Sequence, residues 1–211
     1  MVWETIRIAG RILWRRLGLL VLANVLWLLV SLLVVTWPAA TAGLFALVQR
    51  VVAEELDDAP WESQIGDFWD GFRAHWQRAS LLTAIDLAGL GVIVVALVFY
   101  GRSAAEPLRW LAGPIALFGL VWLASQLYVF PLLLERNASR PWEIMREALL
   151  MTLGYPLSSL SLLLTSLIIA IPAIVLAGPV LFVLFSGMAV VQTVALRQLL
   201  IQRGEVRGVT P

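Results

Sequence analysis

Fifteen arginines and no lysine carry all the basic side-chain charge of this 211-residue chain, and their placement constrains the fold more than any other feature. Hydropathy marks six apolar stretches, roughly residues 17–36, 38–53, 80–100, 110–134, 148–170 and 174–198. Suppose all six cross a membrane and the N-terminus faces the cytoplasm. Then Arg7, Arg11, Arg15, Arg16, Arg50, Arg73, Arg78, Arg136, Arg140, Arg146, Arg197, Arg203 and Arg207 fall inside, and Arg102 and Arg109 fall outside. That is the asymmetry of the positive-inside rule. If the weak second stretch failed to cross, the later arginines would change sides and the asymmetry would collapse. The expectation is an all-α, polytopic transmembrane bundle of about six spans in three hairpins, with both chain ends cytoplasmic.

Composition agrees. Hydrophobic residues make up 61% of the chain and the mean hydropathy is +0.90, against roughly 45–50% apolar content in soluble domains. The segments between apolar stretches are short, so residues 1–211 read as one integral membrane domain. Acidic residues share the inner segments with the arginines, among them Glu54, Glu55, Asp57, Asp58, Glu62, Asp67 and Asp70. No unbroken basic patch remains for nucleic acid. The absence of cysteine removes disulfides, thiol catalysis and thiolate metal sites. Arginines before an apolar run and then Ala40-Thr41-Ala42 imitate a cleaved signal peptide. The run is about twenty residues, however, longer than the roughly 7–15 of such a core, so an uncleaved first span is expected.

The spans carry internal echoes. Trp37-Pro38 opens the second, Ala112-Gly113-Pro114 the fourth and Ala177-Gly178-Pro179 the sixth, and each opening is followed by a glutamine: Gln49, Gln126 and Gln192. Pro60-Trp61-Glu62 and Pro141-Trp142-Glu143 each precede an ascending helix. These suggest three helical hairpins of one topology; the plainer reading is that proline marks helix starts. Residues 38–53 would give a straight helix of only about 24 Å, so arginine snorkelling or local thinning is needed if they span. A re-entrant helix is the alternative. Between Trp61 and Arg78, Trp61, Ile65, Phe68, Trp69, Phe72 and Trp76 recur at helical spacing, with Glu62, Asp67, Asp70, Arg73 and Arg78 opposite. This predicts an amphipathic helix at the inner interface, offering a mixed-charge face to a protein partner or packed under the bundle.

Few groups could carry chemistry. Asp86 lies in the third span; it reads as an acid reaching interfacial water or pairing with Arg78. The sharper reading is a proton or cation ligand, or a buried cross-helix contact. Asn24, Gln126 and Gln192 can bond between helices, and Ser158, Ser159, Ser161, Thr165 and Ser166 can act as close-packing glue or line a polar path. The lone His75 has no second ligand at metal spacing. There is no nucleophile-elbow serine, and the phosphate-loop motif needs a lysine this chain lacks. A catalytic role, a cofactor and a metal are therefore not expected.

The first half resembles a known family. Asn24-Val25-Leu26-Trp27-Leu28-Leu29, Pro38-Ala39-Ala40-Thr41-Ala42 and Phe68-Trp69-Asp70-Gly71-Phe72-Arg73 are similar to the YesL-like family of small bacterial membrane proteins, domain of unknown function 624. The recognisable motifs cover about residues 20–80, with Phe-Trp standing where Phe-Phe is expected. The resemblance implies no reaction and no catalytic residues. It implies a bacterial inner-membrane location. Members are often encoded beside ATP-driven carbohydrate importers, so it also implies an accessory role in sugar uptake, with importer permease subunits, further copies of itself and membrane lipids as partners. A small transporter or channel with a polar path near Asp86, Gln126 and Gln192 is the alternative, and a lipid- or envelope-organising protein a third.

Overall fold

The computed structural model describes residues 2–57, 59–103, 105–136, 140–175 and 181–205, and the regular structure among them is helical. The helices are α1 (Val2–Arg15), α2 (Leu17–Ser31), α3 (Trp37–Leu56), α4 (Gly66–Gly101), α5 (Glu106–Arg109), α6 (Ala112–Glu135), α7 (Pro141–Gly154), α8 (Pro156–Val175) and α9 (Leu181–Gln202), with a 3-10 turn at Val34–Thr36. By length and composition, α3, α4, α6 and α9 can each cross a membrane. The pairs α1–α2 and α7–α8 pass the same test only when counted together, bent by 88° and 102°. The protein is a multi-pass, all-α bundle with four to six spanning segments.

Where helix ends differ from the hydropathy, the causes are local. The first stretch does not run to residue 36: α2 stops at Ser31, and the Thr36 hydroxyl bonds the carbonyls of Val30 (2.5 Å) and Leu33 (2.7 Å) to close the turn. The second is longer than expected, because α3 continues to Leu56; its 20 residues give about 30 Å. The fifth is not one helix. Pro156 lacks an N–H and disfavours helical geometry at the residue before it, and Tyr155 sits at φ −129°, ψ 61°. The inner aromatic segment is helical from Gly66 rather than Trp61, and it runs without a break into the third span as one 36-residue helix of about 54 Å. That segment packs on α3 through glycine: a Cβ at Gly43 would lie 2.6 Å from the Phe68 carbonyl oxygen, and one at Gly71 would collide with the Cβ of Ala46. The helices that turn aside from the spans are α1 and α7. The opening Ala177-Gly178-Pro179 lies outside the described residues, as do Asp58 and Arg207.

The three descending helices α3, α6 and α9 touch one another and form an inner ring. Each ascending helix sits in a groove between two of them: α2 between α9 and α3, α4 between α3 and α6, α8 between α6 and α9. The amphipathic pieces follow the same rule. The inner half of α4 lies on α3, α7 on α6 and α1 on α9, so each packs against the descending helix of the preceding hairpin. This is a pseudo-threefold arrangement of three hairpins. Its sequence mark extends to the N-terminus, where Trp3-Glu4 repeats Trp61-Glu62 and Trp142-Glu143. Trp3 precedes the bend at Arg16 by thirteen residues, and Trp142 precedes the bend at Tyr155 by the same number. Thirteen after Trp61 stands Ala74, and there the helix stays straight.

Candidate functional site

At the arginine-rich end the inner ring opens into a cavity of about 160 Å³ on the pseudo-threefold axis. Each helix lines it with residues at positions i, i+3 and i+4. Gln49, Pro131 and Thr193 form one tier, from α3, α6 and α9 in turn. Val52, Leu134 and Leu196 form the next. Ala53, Glu135 and Arg197 form the third, towards the helix ends. One polar link closes each seam of this vestibule. Gln49 Nε2 donates to Glu135 Oε2 at 2.8 Å between α3 and α6. An Arg197 guanidinium nitrogen donates to both Asp57 oxygens at 2.8 and 2.6 Å between α9 and the end of α3. Arg136, capping α6, pairs with Glu205 beyond α9. The hydroxyl of Thr193 is buried and has no hydrogen-bond partner among the described residues. Such a chamber can hold water or a small polar solute; it offers both a cation and an anion.

Around the vestibule the charges of the arginine-rich end are largely paired within the chain. Glu54, almost wholly buried, accepts from Arg16 at 2.7 Å, from the Ser63 amide at 2.6 Å and hydroxyl at 2.7 Å, and from the Glu62 amide at 3.0 Å. Arg15 bonds Glu55 at 2.9 Å, and Arg50 bonds Asp67 at 2.5 Å. The Arg15 and Arg16 guanidinium carbons lie 4.4 and 4.3 Å from the centroid of the Trp61 ring, a cation–π clasp on the segment between α3 and α4. Arg136 also bonds Glu147 at 3.1 Å, and that carboxylate, with Glu205 adding to it, raises the guanidinium above its ordinary pKa. Its charge is fixed at every pH the protein meets.

The residues singled out from sequence fall into separate groups. Asp86 accepts the indole N–H of Trp122 at 2.9 Å, a contact between α4 and α6, while the Trp122 ring lies against Gly89. Gln126 donates to the Trp122 carbonyl at 3.3 Å, beside Ser125 at 2.7 Å. Gln192 is buried on α9, next to Thr193. Asp86 and Gln126 share only Trp122 as a partner, one through its indole and the other through its carbonyl, and the vestibule is lined by other residues. Ser161 and Thr165 donate to the carbonyls of Leu157 (2.7 Å) and Ser161 (2.8 Å) within α8, and Ser159 meets the buried Tyr128 hydroxyl at 3.0 Å. His75 is buried, its Nδ1 3.2 Å from the Gly71 carbonyl oxygen. Among the described residues no group of three His, Asp or Glu side chains gathers in a way that could hold a metal.

The aromatic set also divides. Phe68 is completely buried, Trp61 is held by the two arginines, and Trp69, Arg73 and Trp76 face outward with Phe72 partly covered. Of the motif residues, Trp27 donates its indole N–H to the Thr41 hydroxyl at 3.1 Å, and that hydroxyl donates to the Trp37 carbonyl at 2.8 Å. Asn24 and Pro38 are buried at the same α2–α3 region. The motif fastens the first hairpin. Sequence reading missed the vestibule altogether; its signal was the i, i+3, i+4 spacing of polar and small residues near the inner ends of three helices.

Taken together, fold and motif define a small multi-pass membrane protein whose first hairpin is fastened in the α2–α3 region. A family model described as "Protein of unknown function, DUF624" matches residues 20–97. The uncharacterized protein YteU of Bacillus subtilis (strain 168) is 30% identical over 185 residues, covering 82% of this chain and 79% of that protein. The chain belongs to the DUF624 family. No solved structure matches it.

Proposed function

We propose that this protein works without catalysis, as a membrane-embedded partner of another membrane protein, and that the partner is a permease subunit of a bacterial ATP-driven carbohydrate importer. One observation carries the partner reading. In its most apolar window α4 is only 11% buried by its own chain, whereas the windows of α3, α6 and α9 are 50%, 50% and 67% buried. Beyond its seam with α6, the outer half of α4 turns a long face away from the bundle, exposing Val92, Val95, Val98 and Phe99, and the outward Trp69, Arg73 and Trp76 continue that helix at the arginine-rich end. The likeness to the YesL-like family supports carbohydrate uptake as the setting. The positive-inside rule supports an inner-membrane threading with both chain ends in the cytoplasm. Membrane lipid covers whatever the partner leaves bare.

Affinity purification in mild detergent tests the reading. The protein is expected to bring down importer permease subunits, and its deletion to lower sugar uptake. Recovery of the protein alone, with uptake unchanged, contradicts it. A second reading, a small polar-solute transporter, is favoured by the axial vestibule.

A further inference from the structure

We propose that the axial vestibule is a binding site for a small zwitterionic solute, with its ammonium group towards Glu135 and its acid group towards Arg197. The proposal does not depend on the partner surface of α4. Capacity remains on both walls. Arg197 commits one guanidinium nitrogen to Asp57, and the others have no partner among the described residues. Glu135 receives Gln49 on Oε2, leaving Oε1 open.

The three-tier symmetry sharpens the assignment. At equivalent positions of the third tier the helices place a small apolar residue, an anion and a cation: Ala53, Glu135 and Arg197. A simple anion entering would meet Glu135, and a simple cation would meet Arg197. Glu135 is exposed and Arg197 only partly covered; a solute bearing both signs satisfies both walls at once. The aliphatic tier of Val52, Leu134 and Leu196 suits a short carbon skeleton between the charged ends. The volume of about 160 Å³ compares with roughly 30 Å³ for one water in the liquid, which admits a small solute and excludes an oligosaccharide.

Thermal unfolding of the full chain in detergent tests this, with glycine, L-alanine and glycine betaine as zwitterionic probes and acetate, methylammonium and glycerol as controls. At least one zwitterion is expected to raise the unfolding midpoint saturably, and the controls are not. Glu135→Gln retains an oxygen to accept from Gln49 and should weaken the apparent affinity about tenfold or more. Ala53→Phe fills the chamber and should abolish the response. Three results each overturn the proposal: no saturable shift with any zwitterion, an equal shift with acetate, or a shift that survives both substitutions. The chamber would then hold water alone.

Discussion

A carboxylate at mid-depth in a bilayer costs roughly 2.5–3.5 kcal/mol on insertion scales and less towards the edge; Asp86, about one and a half turns into its apolar run, meets part of the smaller cost through a single neutral donor, the indole of Trp122. What the site uses is an acceptor oxygen, and an amide supplies one. Asp86→Asn should therefore leave thermal stability within about 1 kcal/mol, whereas Asp86→Leu strands the indole N–H and should cost about 1–3 kcal/mol. If Asn proves as damaging as Leu, the negative charge itself matters and the contact is more than a helix fastener. Two neighbouring arginines make a second contrast. Arg16 reaches the nearly buried Glu54 from a covered position, while Arg15 reaches a similarly covered Glu55 from an exposed one. Removing one partner of a buried pair costs about 3–5 kcal/mol, and a pair whose arginine stays in water costs less, because solvent screens it. Arg16→Ala should lower stability in detergent far more than Arg15→Ala; equal effects would show that Glu54 is not held as described.

At the scale of elements, the tightest seam is that between α3 and the inner half of α4. Gly43 and Gly71 leave no room there for a side chain, so Gly71→Ala should destabilise the fold by about 1–3 kcal/mol through overpacking. Gly91, with open space around it, should accept alanine without loss; a thermal scan of both variants checks the pair. Hydropathy made α6, α9 and the spanning half of α4 legible because each apolar run falls largely on one unbroken helix. It failed at Gly154-Tyr155-Pro156, where the apolar run passes unchanged through a bend of 102°, since a sum of transfer energies carries no direction. It passed over α1 for a different reason. That helix is amphipathic and arginine-bearing, so it lowers local hydropathy, and its Trp3-Glu4 opening lacks the proline that drew attention to the other two.

For the whole molecule, the three hairpins become a ring of three descending helices with three ascending helices in its grooves. Arginine asymmetry and the proline-led openings made the hairpins readable. The closure of the ring was not, because it rests on contacts between the first hairpin and the last, α2 and α1 against α9. Nor was the vestibule, whose lining is drawn from positions 49 to 200. The account stands or falls on its threading. A chain without cysteine is ready-made for the decisive measurement: single-cysteine variants at Ala105 and Gln77, both exposed, labelled in intact cells with a membrane-impermeant maleimide. The threading predicts that Ala105→Cys is labelled from outside and that Gln77→Cys reacts only after the membrane is opened. Labelling of Gln77→Cys in intact cells, with Ala105→Cys protected, would invert the bundle and place the vestibule on the wrong side of the membrane.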